Sequence, residues 1–112
     1  MGIPFENNEE MMINLIEIIN LLPGTPFQKK VWIELTKIKY GETISYKELA
    51  KRIGKPKAVR AVANAVGANP LPIQIPCHRV IASDGTLGGY SLGTKLKIKL
   101  LKLEGSYSKI LT

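Results

Sequence analysis

Apolar positions recur at three- and four-residue steps along much of the chain, and each such run predicts a helix with one buried face. Met12, Leu15, Ile16, Ile19 and Leu22 predict a first helix over Glu9–Leu22, which Pro23-Gly24 breaks. Thr25-Pro26-Phe27-Gln28 has the form of a capping box with proline at the first helical position. In the helix that follows, Phe27, Val31, Leu35 and Ile38 form one apolar stripe, and Gly41 is expected to end it in a left-handed turn. Those four residues and Trp32 are the expected core.

Ser45-Tyr46-Lys47-Glu48 repeats the capping-box pattern and opens a short helix through Leu49, Ala50 and Ile53, closed by Gly54. After the tight Lys55-Pro56 link a further helix is expected from about Lys57 to Gly67. Two short helices joined by a few residues containing glycine form a helix-turn-helix pattern. The second helix is slim. Ala58, Ala61, Ala63 and Ala65 carry little bulk, and Arg60 is its only long basic side chain after Lys57. Small residues let a helix approach another surface closely, or simply pack tightly against its own neighbours.

Three prolines stiffen Asn69–Pro76, a loop that runs straight into Cys77-His78. Beyond it, Arg79-Val80-Ile81-Ala82 and Thr86-Leu87 flank Asp84-Gly85, which signals a short hairpin. Gly88-Gly89-Tyr90-Ser91 is a second stretch suited to close backbone approach. Thr94 is expected to cap a last helix carrying Leu96, Leu100 and Leu103, with Gly105 as its stop. The fold class that follows is mostly α with a short β-hairpin, a winged-helix-like helix-turn-helix domain.

A length of 112 residues suits one domain, and no repeat or low-complexity linker divides it. No run approaches the roughly 18 apolar residues of a membrane span. The opening Met1-Gly2-Ile3-Pro4-Phe5 lacks the blocks of a secretory signal, so a cytoplasmic protein without membrane partners is expected. The net charge of +7, from 16 Lys and Arg against 9 Asp and Glu, suits a polyanionic partner as well as a lysine-rich surface.

The chain has one cysteine and one histidine, and they are adjacent. One cysteine excludes an intramolecular disulfide, and the pair alone falls short of the about four ligands of a structural zinc site. No metal and no cofactor are expected. A cysteine acts as nucleophile through its thiolate, which a neighbouring base or positive field makes available. In an extended chain, however, adjacent side chains point to opposite sides, so a turn or a bridging water is needed to join Cys77 to His78. A lone cysteine of this kind is otherwise an inert core residue.

The surroundings of the pair are more specific. Ile75-Pro76-Cys77-His78-Arg79-Val80, with Asn69-Pro70 before it and Gly88-Gly89-Tyr90 after it, resembles the active-site signature of the O6-alkylguanine-DNA alkyltransferases. Gly24-Thr25-Pro26-Phe27-Gln28, Val31-Trp32, Gly41 to Tyr46, Arg60-Ala61-Val62, Leu100-Leu101 and Leu103-Glu104-Gly105 follow in family order without gaps. The resemblance covers Gly24 to Gly105.

It implies a protein that moves an alkyl group from O6 of guanine, and from O4 of thymine, onto its own Cys77 once per molecule. His78, through a water, would take the thiol proton, with Glu104 orienting the ring and Tyr46 donating to the departing base. Asn69 would act as the hinge between recognition helix and active-site loop. The implied partner is double-stranded DNA containing the lesion, entered from the minor groove by a monomer that flips the base out. Ser45, Tyr46, Ala58 and Ala61 would face the DNA, and Arg60 would fill the space the base vacates. Val80, Gly89, Tyr90, Ser91 and Leu92 would wall the lesion pocket.

Departures from the family pattern matter too. Ala63 and Leu92 stand where glycine is usual, and Leu92 is expected to narrow the pocket against bulky groups such as benzyl. Most members carry a further domain before this one. Here the expected organisation is a short helical segment, 1–22, ahead of a catalytic and DNA-binding domain, 23–112, with that N-terminal domain missing. The alternative is a non-catalytic alkyltransferase-like protein that binds the lesion; such relatives carry tryptophan or alanine in place of the cysteine.

Overall fold

The computed structural model describes residues 8–110, with side chains from residue 13 onward. Helix α1 spans Asn8–Leu21. It turns Ile19 fully into the core and lays Leu15 against it, while Ile16 and Leu22 are half-buried. The side chain of Met12, assigned to the same stripe, lies outside the described residues.

Helix α2, Pro26–Leu35, begins on a complete capping box. Thr25 Oγ1 accepts from the Gln28 amide at 3.1 Å, and Gln28 Oε1 accepts from the Thr25 amide at 2.9 Å. The helix stops six residues short of Gly41. From Thr36 to Ile38 the amides bond to carbonyls three residues back, which tightens the turn yet still delivers Ile38 to the core. Gly41 has the expected left-handed backbone, φ 84°, but in a separate turn further on.

Strand β1, Ile44–Ser45, leads directly into α3, Tyr46–Arg52. Ser45 Oγ accepts from the Glu48 amide at 3.0 Å. At the other end Gly54, φ 76°, closes α3: its amide bonds to Lys51 O and that of Lys55 to Ala50 O. This double bond pattern around a left-handed residue turns the chain sharply. Helix α4 follows as Val59–Gly67, two residues shorter at its start than expected, because Ala58 offers no side-chain cap. Its inner face, Val62, Ala65 and Val66, is buried against α2 and α3, and the Trp32 indole N–H donates to Ala65 O at 2.8 Å. The helix-turn-helix is therefore bolted to α2 by a buried hydrogen bond.

Strand β2, Val80–Ile81, pairs with β1, and the pairing is parallel, with Ile44 opposite Val80 and Ser45 opposite Ile81. The two-stranded sheet is thus not the hairpin expected at Asp84-Gly85. That dipeptide forms a tight turn in which Asp84 Oδ1 accepts from the Thr86 amide and hydroxyl, and Ala82 N–H donates to Thr86 O. The arm beyond it does not continue as a strand. A parallel pair sets the start of α3 beside the segment just after Cys77.

Helix α5, Thr94–Leu103, is preceded by Gly93 as its N-cap, so Thr94 is the first helical residue rather than the cap. The buried positions are Lys97 and Leu101; Leu96 and Leu100 are half-buried and Leu103 is exposed. Gly105, φ 79°, ends it, with its amide on Lys102 O and that of Ser106 on Leu101 O. Glu104 is left at the helix C-cap.

Candidate active site

The proline-framed loop is held by one side chain. Asn69 Nδ2 donates to Ile75 O at 2.8 Å and Asn69 Oδ1 accepts from the Leu71 amide at 2.9 Å, so the amide spans the loop that joins α4 to Cys77. Cys77–Arg79 form a single 3₁₀ turn, which rotates His78 away from the extended geometry that would have placed it opposite the thiol. Both Cys77 and His78 are buried.

His78 Nε2 lies 2.7 Å from Glu104 Oε2. Arg79 grips the same carboxylate twice, Nε to Oε1 at 2.8 Å and Nη2 to Oε2 at 3.1 Å, and its third nitrogen donates to Ile38 O at 2.6 Å. Tyr40 lies under the guanidinium, 5.7 Å from its ring centre. Burial alone would raise the Glu104 carboxyl, but the hydrogen bonds and charges of Arg79 and His78 outweigh it and hold the group below its ordinary range. A carboxylate only accepts, so Nε2 carries the ring hydrogen and Nδ1 keeps a lone pair. Among the described residues that Nδ1 is buried without a hydrogen-bond partner, and so is the Tyr90 hydroxyl, whose ring meets the imidazole edge-on at 6.3 Å.

Electrostatics suit a resting thiol beside a neutral base. Burial pushes the Cys77 thiol up, against the opposing pull of the Asn69 amide, the local backbone and the Lys97 charge. Burial also lowers His78, more than Glu104 raises it, so the imidazole is uncharged at neutral pH and free to accept a proton. Tyr46 is raised by burial and by the Cys77 charge, and Tyr90 is pushed up to about 12, so both remain phenols that can donate.

The thiol opens onto a cavity of about 270 Å³ lined by Tyr46 from α3, Ala63, Val66 and Gly67 from α4, and Gly89, Tyr90 and Ser91 opposite. Cys77 is on its wall. A wider groove of about 500 Å³ runs beside Lys29, Lys30 and Lys37 of the α2 region, shares no lining residue with the first, and contains no nucleophile. Among the described residues no cluster of His, Cys, Asp and Glu could hold a metal ion, and no helix is long and apolar enough to cross a membrane.

The structure therefore brings together Cys77, His78, Glu104, Tyr46 and Asn69, with Gly89, Tyr90 and Ser91 on the cavity wall. Two residues assigned to that wall are elsewhere. Val80 is fully buried and committed to the sheet with Ile44, and Leu92 is half exposed in the turn before α5, so neither lines the cavity and Leu92 does not narrow it. Ala61 and Arg60 are exposed on α4, Ala58 is half-buried at its cap, and Ser45 is occupied in capping α3. Two residues of the site were not singled out in the sequence. Arg79 was signalled by a charge directly before the apolar pair Val80-Ile81. Lys97 was signalled by its place one helical turn before Leu101, on what proves to be the buried face.

Fold and site together define a class: a small helix-turn-helix domain in which a cysteine, an imidazole and a clamped carboxylate meet at a cavity bounded by the second helix. Residues 26–106 match the family model of the 6-O-methylguanine DNA methyltransferase, DNA binding domain, and the chain belongs to this family. A methylated-DNA–protein-cysteine methyltransferase of Methanosarcina barkeri is 60% identical over 81 residues, covering 72% of this chain and 51% of the relative. The bifunctional transcriptional activator/DNA repair enzyme Ada of Escherichia coli is 59% identical over 81 residues, 72% of this chain and 23% of that protein. The crystal structure of Mycobacterium tuberculosis OGT in complex with DNA superposes with a TM-score of 0.73 at 53% identity, covering 77% of this chain and 52% of that one. S. pombe Atl1, in complex with damaged DNA containing O6-carboxymethylguanine, gives 0.65 at 31% identity, covering 75% of this chain and 80% of that one. The chain spans about half the length of the methyltransferases it matches, or less.

Proposed function

We propose that the protein reverses alkylation damage in double-stranded DNA by transferring the alkyl group from O6 of guanine, and by the same geometry from O4 of thymine, to Cys77. One observation carries the reading: the cavity that holds the thiol is walled by Ala63, Val66 and Gly67 of the second helix of the helix-turn-helix. A base swung out of a duplex lying against α4 enters that cavity without crossing the core. Six exposed basic residues on this unit, Lys47, Lys51, Arg52, Lys55, Lys57 and Arg60, face a single acid, Glu48, which suits a phosphate backbone. The bare outer face around Ala61 fits the minor groove, about 6 Å wide before it is opened. Arg60 fills the place of the extruded base, and unstacking costs a few kcal/mol, less for a badly paired lesion.

The chemistry is a displacement at a saturated carbon. The Cys77 thiol gives its proton, through a water, to His78 Nδ1, and the sulfur attacks the alkyl carbon. The C–S bond forms as the C–O6 bond breaks, and the electron pair passes to the guanine. Tyr46 protonates the purine so that it leaves neutral, and the proton on His78 returns through solvent to the tyrosine. Glu104 offsets the transient imidazolium and Arg79 keeps the carboxylate aimed. The thioether is stable, so each molecule acts once.

The test is the intact mass of the protein after mixing with duplex DNA containing O6-methylguanine. Gain of one methyl, absent in Cys77→Ala, is the expected result. Binding without a mass gain would instead assign the chain the lesion-binding role of its alkyltransferase-like relatives.

A further inference from the structure

Between α2 and β1 the chain makes a tight turn, Lys39–Glu42, closed by the Glu42 amide on Lys39 O at 2.9 Å. Its third residue, Gly41, has φ 84°, the left-handed backbone that such a turn reserves for glycine. Glu42 Oε1 accepts in return from the Lys39 amide at 3.4 Å, which braces the turn. None of these residues lines the thiol cavity. Yet Ile38, Tyr40 and Gly41 all reach the pair that holds His78.

Ile38 O accepts from Arg79 Nη1 at 2.6 Å, and a Cβ on Gly41 would stand 3.2 Å from Glu104 O. Tyr40 makes two contacts of its own. Its ring centre is 5.7 Å from the Arg79 guanidinium carbon, within the about 6 Å over which an aromatic face attracts a cation. Its hydroxyl donates to Leu103 O at 2.8 Å. That carbonyl is one of the four that the end of a helix leaves without a helical amide. The amides of Glu104, Ser106 and Gly105 return to Leu100, Leu101 and Lys102, and the tyrosine takes the fourth acceptor. Tyr40 is nevertheless 68% exposed, so burial of its ring does not account for its placement. What ring and hydroxyl hold is the end of α5, where Glu104 follows Leu103, and the arginine that grips that carboxylate.

We propose that Tyr40 is a positioning residue for the proton acceptor: its hydroxyl fixes the end of α5 and its ring steadies Arg79, so that Glu104 stays aimed at His78 Nε2. This rests on the reading of Cys77 as alkyl acceptor and His78 as its base. Tyr40 is not on the cavity wall, so it acts only through Arg79 and Glu104. Small displacements matter at such a site, because a catalytic group about 1 Å out of place loses on the order of 10² in rate.

The one histidine of the chain makes the link observable without DNA. Its Nε2 proton, held against the Glu104 carboxylate, gives a single downfield NMR resonance whose exchange with solvent reports that hydrogen bond. In Tyr40→Ala the proton should exchange about fivefold faster, and methyl transfer from O6-methylguanine DNA should slow by about as much. Tyr40→Phe, which keeps the ring and loses the hydroxyl, should fall between. Tyr107→Ala is the control, since Tyr107 also follows α5 but lies against Lys102 rather than Arg79, and it should leave the exchange unchanged. Equal exchange in Tyr40→Ala and the unaltered protein, or the same acceleration in Tyr107→Ala, overturns the proposal. Should Tyr40→Ala not fold, Tyr40→Phe decides on the same reading. A protein that transfers methyl but whose His78 proton ignores Tyr40 sinks only this inference, whereas one that transfers none sinks the proposed function.

Discussion

Between Tyr46 and Gly67 every charged side chain is exposed, and none of the basic ones has an ion-pair partner among the described residues. Behind Cys77 the opposite holds: His78, Glu104, Arg79 and Lys97 are wholly or mostly buried, and each is tied to groups distant in sequence. The first region is a surface whose polar groups are satisfied by water until something displaces it. The second is a network in which each group is the partner another needs. A change on the surface should therefore alter binding and leave the fold intact, while a change in the network should alter chemistry and stability together.

The largest effect is expected of Glu104→Ala. It strips the partner from both His78 and Arg79, and breaking such a buried pair costs about 3–5 kcal/mol. Loss of the group that orients the base should also slow methyl transfer by about 10²-fold or more. Chemical denaturation and single-turnover transfer would check the two halves, and a stable Glu104→Ala would mean that the network is not the unit described.

Acid should act in the same direction. His78 has its pKa lowered by burial, so as the pH falls below the ordinary value of about 6.5 the unfolded chain takes up a proton before the folded one, and stability drops. Glu104 is held low, so its contribution, complete above the ordinary value of about 4.3, is lost as the pH falls through its folded value. Melting curves should therefore descend in two stages on acidification, and transfer should show an acid limb with a midpoint below that of an ordinary histidine. A melting temperature level from neutral pH down to about 5 would contradict the assignment of a neutral imidazole.

Arg60→Ala sharpens the contrast from the other side. Arg60 is exposed on α4, so the change should move stability by no more than about 0.5 kcal/mol. It should slow transfer from duplex DNA more than transfer from the free alkylated base, which needs no flipping. Equal losses on both substrates would remove the role assigned to it.

The smallest effect belongs to the loop that joins the two regions. Ile73 adopts φ 78°, a left-handed backbone that a β-branched residue occupies only under strain. Replacing it with glycine should relieve about 1 kcal/mol, partly cancelled by the freer unfolded chain, and appear as a small rise in melting temperature. A fall would show that the half-exposed Ile73 side chain contributes packing that the backbone strain does not reveal.

Much of the fold was legible because its signals are local. Thr25 and Ser45 announce their helices, Gly54 and Gly105 end theirs, and the 3.6-residue period exposes Val31, Leu35 and Ile38 as core. Motif order also carried Cys77, His78, Tyr46 and Glu104 to one site, by resemblance rather than by geometry. The failures share a cause. The parallel pairing of Ile44 with Val80 and the burial of Lys97 against the Val80 carbonyl each depend on a partner beyond the local segment.

By itself, then, the amino-acid order determined where helices start and stop, which faces are apolar, and that a single thiol stands beside a single imidazole in a stiff loop. Only the folded chain decided that the imidazole keeps its free nitrogen, because that follows from Glu104 arriving at the end of α5 and Arg79 holding it there. Only the folded chain set a lysine beneath the pocket wall. Capping and periodicity act over one or two helical turns, whereas the charge state of a buried group depends on everything within a few ångströms of it, wherever in the sequence that lies.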